Sequence, residues 1–171
     1  QLSYTILRYF NTYGPFQIAQ FVIPKFIRNV MEGKPPIIYG DGQQLRGYCY
    51  VSDTAWATVE SLLSEKTNGE IFNIGNSASL TSLINLAETV IDVCGKKDTL
   101  SISMQGNFEN TDRDKDREIY KRYCDTTKIH DVLGFVPKVS LEEGIKNVVK
   151  SGNLEPKWGT TDLDYILDDW L

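Results

Sequence analysis

Histidine is nearly missing from this 171-residue chain, with His130 the only one. A multi-histidine metal site therefore cannot be built, and imidazole-assisted nucleophilic catalysis would depend on that one side chain. Cysteine is sparse as well. Cys49, Cys94 and Cys124 are odd in number, far apart and in no C-x-x-C pair, so the sequence offers neither a disulfide framework nor a zinc ribbon and points to a reducing cytoplasm. No apolar run approaches the roughly 20 residues that span a bilayer. The most apolar stretch, Phe21 to Met31, is broken by Lys25 and Arg28, which excludes a membrane protein. Basic excess is lacking too: the net charge of −5 argues against nucleic acid, whose non-specific binding rests on neutralising phosphates. An initiator methionine is absent. The chain opens on Gln1 and enters a strand-like run almost at once, with no signal or transit sequence, which predicts a fragment of a longer protein.

What is present fits an ordinary soluble domain with a buried core and excludes a disordered tail: 41% of residues are apolar and 24% charged. Thr5 to Phe10 reads as a strand closed by Asn11 and the Tyr13-Gly14-Pro15 turn. Apolar residues then recur at helical spacing to Met31, with Pro24 tolerable only in a first turn, so a helix starts near Ile23. Ile37 to Tyr39 is a short strand stopped by Gly40-Asp41-Gly42, and Tyr48 to Val51 is a second. Ser52 or Asp53 can cap a helix running to Leu63. Glu70 to Ile74 is a strand, Leu80 to Val93 a periodic helix ended by Gly95, and Leu100 to Met104 a further candidate strand.

From Glu109 to Lys128 mixed charge dominates and Ile119 is the only aliphatic residue, predicting an exposed loop with a helix beginning around Asp125. Leu133-Gly134-Phe135 ends that helix. Ser140-x-x-Glu143 has capping-box spacing and opens a last helix to about Lys150. Beyond it, the five acids between Gly152 and Leu171 stand against Lys157 alone, a net of −4 that accounts for most of the chain's charge.

Strands alternating with helices define an α/β chain and no more. The loops are more specific. Arg8-Tyr9-Phe10-Asn11-x-Tyr13-Gly14-Pro15, Ile23-Pro24, Ile38-Tyr39-Gly40-Asp41-Gly42-x-x-x-Arg46, Tyr50-Val51-x-Asp53 and Phe72-Asn73-Ile74-Gly75 occur in that order. Together they resemble the C-terminal half of the extended short-chain dehydrogenase/reductase family, in particular its NAD-dependent nucleotide-sugar epimerases and dehydratases. Leu133-Gly134-Phe135-x-Pro137-x-x-Ser140-Leu141-x-x-Gly144-Ile145 resembles the same family's C-terminal helix pair. The implied fold is the substrate-binding part of an extended Rossmann-type enzyme, carrying one or two strands of the parent parallel sheet. Residues 1–151 would form that part and residues 152–171 an acidic tail.

Neither of the family's hydride-transfer signatures is found. No tyrosine has a lysine four positions on, and Gly40-Asp41-Gly42 opens no helix, so it is not a dinucleotide fingerprint. The resemblance thus implies NAD held mainly by a missing N-terminal domain, a nucleotide-diphosphate sugar as substrate, a homodimer in the intact enzyme, and a chain that is inactive alone. A 4-epimerase acting through a 4-keto sugar is the leading expectation. A 4,6-dehydratase or UDP-glucuronate decarboxylase of the same family is the alternative, and a non-catalytic nucleotide-sugar-binding or assembly module is a third.

Residue by residue, the resemblance places Arg46 on the diphosphate, where a guanidinium fork matches two phosphate oxygens and a lysine would not. Asn11 ends the first strand, where open α/β sheets place ligands; it reads equally as a substrate contact or as a turn former. Tyr39 would stack on the base or serve as a strand tyrosine, and Val22 and Ile37 would offer backbone contacts to the base. Tyr9 and Phe10 would approach the nicotinamide with their backbone. The family's Arg-Pro-Gly-Asp is replaced by Asp112-Arg113-Asp114-Lys115-Asp116-Arg117, leaving Arg113 and Arg117 as rival candidates for its arginine. Asp53 and Asn73 read as structural, and His130 as a surface residue.

Overall fold

Helical periodicity and β-forming runs set the elements of the computed structural model, which describes residues 2–106, 119–152 and 154. The strands are β1 (Ile6–Tyr9), β2 (Thr12–Tyr13), β3 (Ile37–Tyr39), β4 (Leu45–Gly47), β5 (Cys49–Tyr50), β6 (Ile71–Ile74), β7 (Leu80–Ser82), β8 (Ser103–Gln105) and β9 (Lys121–Arg122). The helices are α1 (Val22–Met31), α2 (Val51–Leu63), α3 (Leu83–Val93), α4 (Thr127–Leu133) and α5 (Leu141–Ser151). Among the described residues β1 pairs in parallel with β6, β2 with β5 and β3 with β8, while β4 runs antiparallel to β7 and parallel to β9. Parallel pairing demands long crossovers, and the intervening helices supply them. Among the described residues no helix is long and apolar enough to cross a membrane.

Among the described residues two clusters make the core. In the larger, Phe26, Ile27 and Val30 of α1 meet Leu86, Ala87 and Val90 of α3 and Ile145 and Val148 of α5. Full burial of each large aliphatic side chain contributes about 1.5–3 kcal/mol, so these three helices hold one another in place. Pro24 lies in the first turn of α1, where its missing N–H costs nothing. The smaller cluster joins Phe72 and Ile74 of β6 to Cys49, Ala57, Ile129 and Phe135, and Trp56 stacks on Phe135 with centroids 6.1 Å apart.

Three local expectations need correction. Leu80 to Ser82 is strand, not helix: Thr81 pairs with Arg46, and the Ser82 hydroxyl accepts from the Asn85 amide at 3.1 Å, so the cap starts α3 at Leu83. The strand expected over Tyr48 to Val51 stops at Tyr50, with Val51 opening α2, and β4 precedes it through tertiary pairing that its own residues do not advertise. Asp53 is not a cap. It sits in the first turn of α2, 7% exposed, and its Oδ2 accepts from the Val139 backbone N–H at 3.1 Å, tying α2 to the segment that enters α5.

Ser140 does cap α5, accepting from the Glu143 amide at 3.2 Å, and Gly134 ends α4 in the left-handed conformation. Ser140→Ala is expected to cost about 1 kcal/mol, read from the urea midpoint at unchanged m-value. Beneath β2, Tyr13 makes edge contacts with Tyr48 and Tyr50 at 6.3 and 5.5 Å between centroids and donates its hydroxyl to the Leu141 carbonyl at 3.3 Å. Burial, then the neighbouring Tyr50, pushes the Tyr13 phenol above its ordinary range, so it stays a neutral donor.

The β1–β6 pair has no further strand among the described residues, and Ile6, Tyr9 and Ile71 are exposed on it. Beside it, α2 exposes Val59, Leu62 at 83% and Leu63 at 71%. The acidic tail expected over residues 152–171 falls almost wholly outside the described residues, as do Arg113 and Arg117.

Candidate functional site

The site begins where β1 ends. Asn11 turns the chain with a φ of 46°, a left-handed conformation that asparagine tolerates because its short amide bonds locally. Its Nδ2 donates to the Gly47 carbonyl at 3.0 Å, and its Oδ1 accepts from Arg122 Nη2 at 3.3 Å. Asn11 is thus a turn former whose amide also joins β4 and β9 to the tip of β1. Gly47 has to be glycine for this arrangement, since a Cβ there would lie 2.0 Å from the Asn76 carbonyl oxygen.

Arg46 and Arg122 are register partners on the adjacent parallel strands β4 and β9. Arg46 Nη1 donates to the carbonyls of Leu45 at 2.9 Å and Tyr120 at 3.3 Å. Tyr120 in turn donates its hydroxyl to Asp41 Oδ2 at 2.5 Å, and Asp41 Oδ1 accepts from the Gln43 amide at 2.9 Å. These two bonds, Tyr120 first, hold the Asp41 carboxyl below its ordinary range, and they fasten the Gly40-Asp41-Gly42 turn to the strand that bears Arg122.

A cavity of about 540 Å³ opens at this point, bounded by residues 9–13 at the tip of β1, Gln17, Gln20 and Phe21 of the following loop, Val22 and Ile23 of α1, and Arg46, Tyr48, Leu83 and Arg122. Neither aspartate nor glutamate is among these residues. Among the described residues the cavity is thus lined by two guanidinium groups and by no carboxylate, an arrangement suited to an anionic ligand.

Of the residues singled out from sequence, Tyr9, Phe10, Asn11, Val22 and Arg46 line this cavity together. Ile37 and Tyr39 do not; they lie half-buried on β3, paired to β8. Asn73 donates to the Asp125 carbonyl at 3.3 Å and joins β6 to the start of α4. Arg122 was not legible as a site residue, because nothing in the charged run Glu109 to Lys128 distinguishes it from Arg113 or Arg117 until β9 pairs with β4.

The cysteines offer no nucleophile here. Burial pushes the Cys49 thiol up to about 12 and that of Cys124 to about 11, so both remain protonated. Among the described residues no cluster of His, Cys, Asp and Glu could hold a metal.

NAD fits this chain only at an edge. The Phe10 amide is already committed to the Ile74 carbonyl at 2.8 Å, which leaves side chains and carbonyls at the β1 tip to face a nicotinamide. Gly42, past the one glycine-rich turn, packs against Ile38 and Ile84 and leads into β4, so this turn cannot cradle a pyrophosphate at a helix start.

Comparison with known proteins places the chain in a family. Residues 1–148 match the GDP-mannose 4,6 dehydratase family. The chain is 37% identical to the UDP-N-acetyl-alpha-D-glucosaminuronate decarboxylase of Bacillus cytotoxicus, over 87% of this chain and 46% of that protein. It is 32% identical to the UDP-glucuronate 4-epimerase of Thermodesulfobacterium geofontis, over 86% of this chain and 42% of that one. Among solved structures it superposes on the UDP-glucose 4-epimerase of Thermotoga maritima, crystallised with UDP-glucose, with a TM-score of 0.74 and 33% identity, covering 87% of this chain and 45% of that one. The chain belongs to the GDP-mannose 4,6 dehydratase family, within the NAD-dependent epimerases and dehydratases of the short-chain dehydrogenase/reductase class. It spans a little under half the length of the curated relatives it matches.

Proposed function

We propose that this chain supplies the nucleotide-sugar-binding part of an NAD-dependent nucleotide-sugar epimerase that works through a 4-keto intermediate. The observation that carries this reading is the cavity at the β1 tip, with Arg46 and Arg122 in register on its wall. Arg46 binds the diphosphate. Asn11, Tyr9 and Phe10 place the sugar, and the loop residues with Val22 lie toward the nucleoside; Ile37 and Tyr39 would reach the base only from β3, outside the cavity. Arg113 and Arg117 stay as further candidates on the phosphate side.

The bound cofactor supplies reversible hydride exchange at the sugar. This chain's own residues orient the substrate for it, and orientation can supply several kcal/mol of the barrier reduction. An N-terminal Rossmann part would hold NAD and continue the sheet that β1 and β6 begin, covering Ile6, Ile71 and the outer face of α2. Parallel sheets are normally covered on both faces, and the exposure of these side chains supports that completion. Decarboxylation of a nucleotide sugar acid is the second reading, favoured by the 37% identity to a decarboxylase.

The test is incubation of the full-length protein and NAD with UDP-, dTDP- and GDP-hexoses and UDP-hexuronates, with products followed by NMR. Inversion at C4 is expected. Loss of carbon dioxide establishes the second reading, loss of water a dehydratase, and failure to bind any of these sugars at millimolar concentration contradicts the nucleotide-sugar assignment.

A further inference from the structure

We infer that Arg122 reads a carboxylate on the sugar, so that the site selects nucleotide-diphosphate sugar acids over their neutral counterparts. The inference rests on the nucleotide-sugar reading above and narrows its substrate class. A diphosphate at the β4 side of the cavity is served by Arg46, whose guanidinium is anchored on the Leu45 and Tyr120 carbonyls. Arg122 is anchored elsewhere. Its Nη2 reaches across to Asn11 Oδ1 at 3.3 Å, one residue beyond Phe10, at the carboxyl end of a strand in a parallel pair, where open α/β sheets hold the reacting part of a ligand.

That single bond to a neutral amide uses one of the five N–H donors of the guanidinium, and no ion pair joins Arg122 to a carboxylate among the described residues. A planar carboxylate can therefore meet the unused edge of the fork with two parallel hydrogen bonds, which a sugar hydroxyl cannot do. Asn11 holds the group by that bond. Its own backbone is set by the turn, and its other amide end is spent on Gly47, so the arginine is held at the tip of β1 without its charge being neutralised.

The experiment compares dissociation constants of UDP-glucuronate and UDP-glucose on the full-length protein with NAD, for wild type, Arg122→Gln, Arg122→Lys and Arg46→Gln. Wild type is expected to prefer UDP-glucuronate by about tenfold or more, the margin of a charge-assisted bidentate contact. Arg122→Gln abolishes the preference, Arg122→Lys keeps part of it, and Arg46→Gln weakens both ligands alike so that the ratio persists. If Arg122→Gln weakens UDP-glucuronate and UDP-glucose by the same factor, Arg122 holds the diphosphate and the inference is overturned. A wild type that binds UDP-glucose with no preference for the acid overturns it too, with the nucleotide-sugar reading intact. Binding of neither ligand removes both.

Discussion

Gly144→Ala is expected to destabilise the protein by about 3 kcal/mol, although alanine is the better helix former. The intrinsic gain in α5 is at most about 1 kcal/mol. Against it, the new Cβ would stand 2.0 Å from Tyr13 Oη, 2.7 Å from Tyr13 Cζ and 2.9 Å from Tyr50 Cδ2. Tyr13 cannot give way cheaply: it is buried, locked edge-on between Tyr48 and Tyr50, and bonded to the Leu141 carbonyl. Overpacking on this scale costs about 1–3 kcal/mol and sometimes more, and the lost hydroxyl bond adds about 1. Urea unfolding followed by circular dichroism measures the result. Gly106→Ala is the control, because a Cβ there meets nothing within 4 Å. An unchanged midpoint for Gly144→Ala would show that α5 does not press on the tyrosine cluster as described. Since Tyr13 and Tyr48 also line the cavity, the same variant should weaken ligand binding.

Arg46→Ala carries the largest expected effect on binding. A guanidinium on a diphosphate makes charge-assisted bonds, and removing it is expected to cost about 3 kcal/mol, on the order of a hundredfold in dissociation constant for a nucleotide-diphosphate sugar. Arg46→Lys keeps the charge and loses the fork, with an expected loss of about tenfold. Arg46 also donates to the Leu45 and Tyr120 carbonyls, so stability is measured beside affinity. An affinity within twofold of wild type, with the unfolding midpoint intact, would remove Arg46 from the ligand and with it the diphosphate assignment.

These two residues show what the sequence makes legible and what it does not. Arg46 can be marked because the Gly40-Asp41-Gly42 turn before it resembles a family's loop, and in the structure it lines the cavity at the β1 tip. The long helices were legible for a plainer reason: α1, α3 and α5 carry apolar stripes at helical spacing, and Ser140 and Gly134 are strong local end signals. The β1–β6 pairing follows from two short β-forming runs that open and close a stretch of helices.

What escaped was tertiary. Leu45–Gly47 and Lys121–Arg122 have little strand character of their own and become strands only by lying side by side, which is why Arg122 could not be told from its charged neighbours. Asp53 stands where a cap would stand, yet its carboxylate reaches a backbone amide 86 residues on in sequence, a partner no local pattern encodes. The sequence at Asn11 fits both a turn former and a ligand contact, and the structure joins its turn to a supporting bond on Arg122.

The most direct measurement is a crystal structure of the full-length protein with NAD and a nucleotide-diphosphate sugar. The diphosphate is expected within hydrogen-bonding distance of the Arg46 guanidinium and the sugar at the β1 tip, beside Phe10, Asn11 and Arg122. A ligand bound with its diphosphate away from Arg46, or outside the cavity at the end of β1, would contradict this.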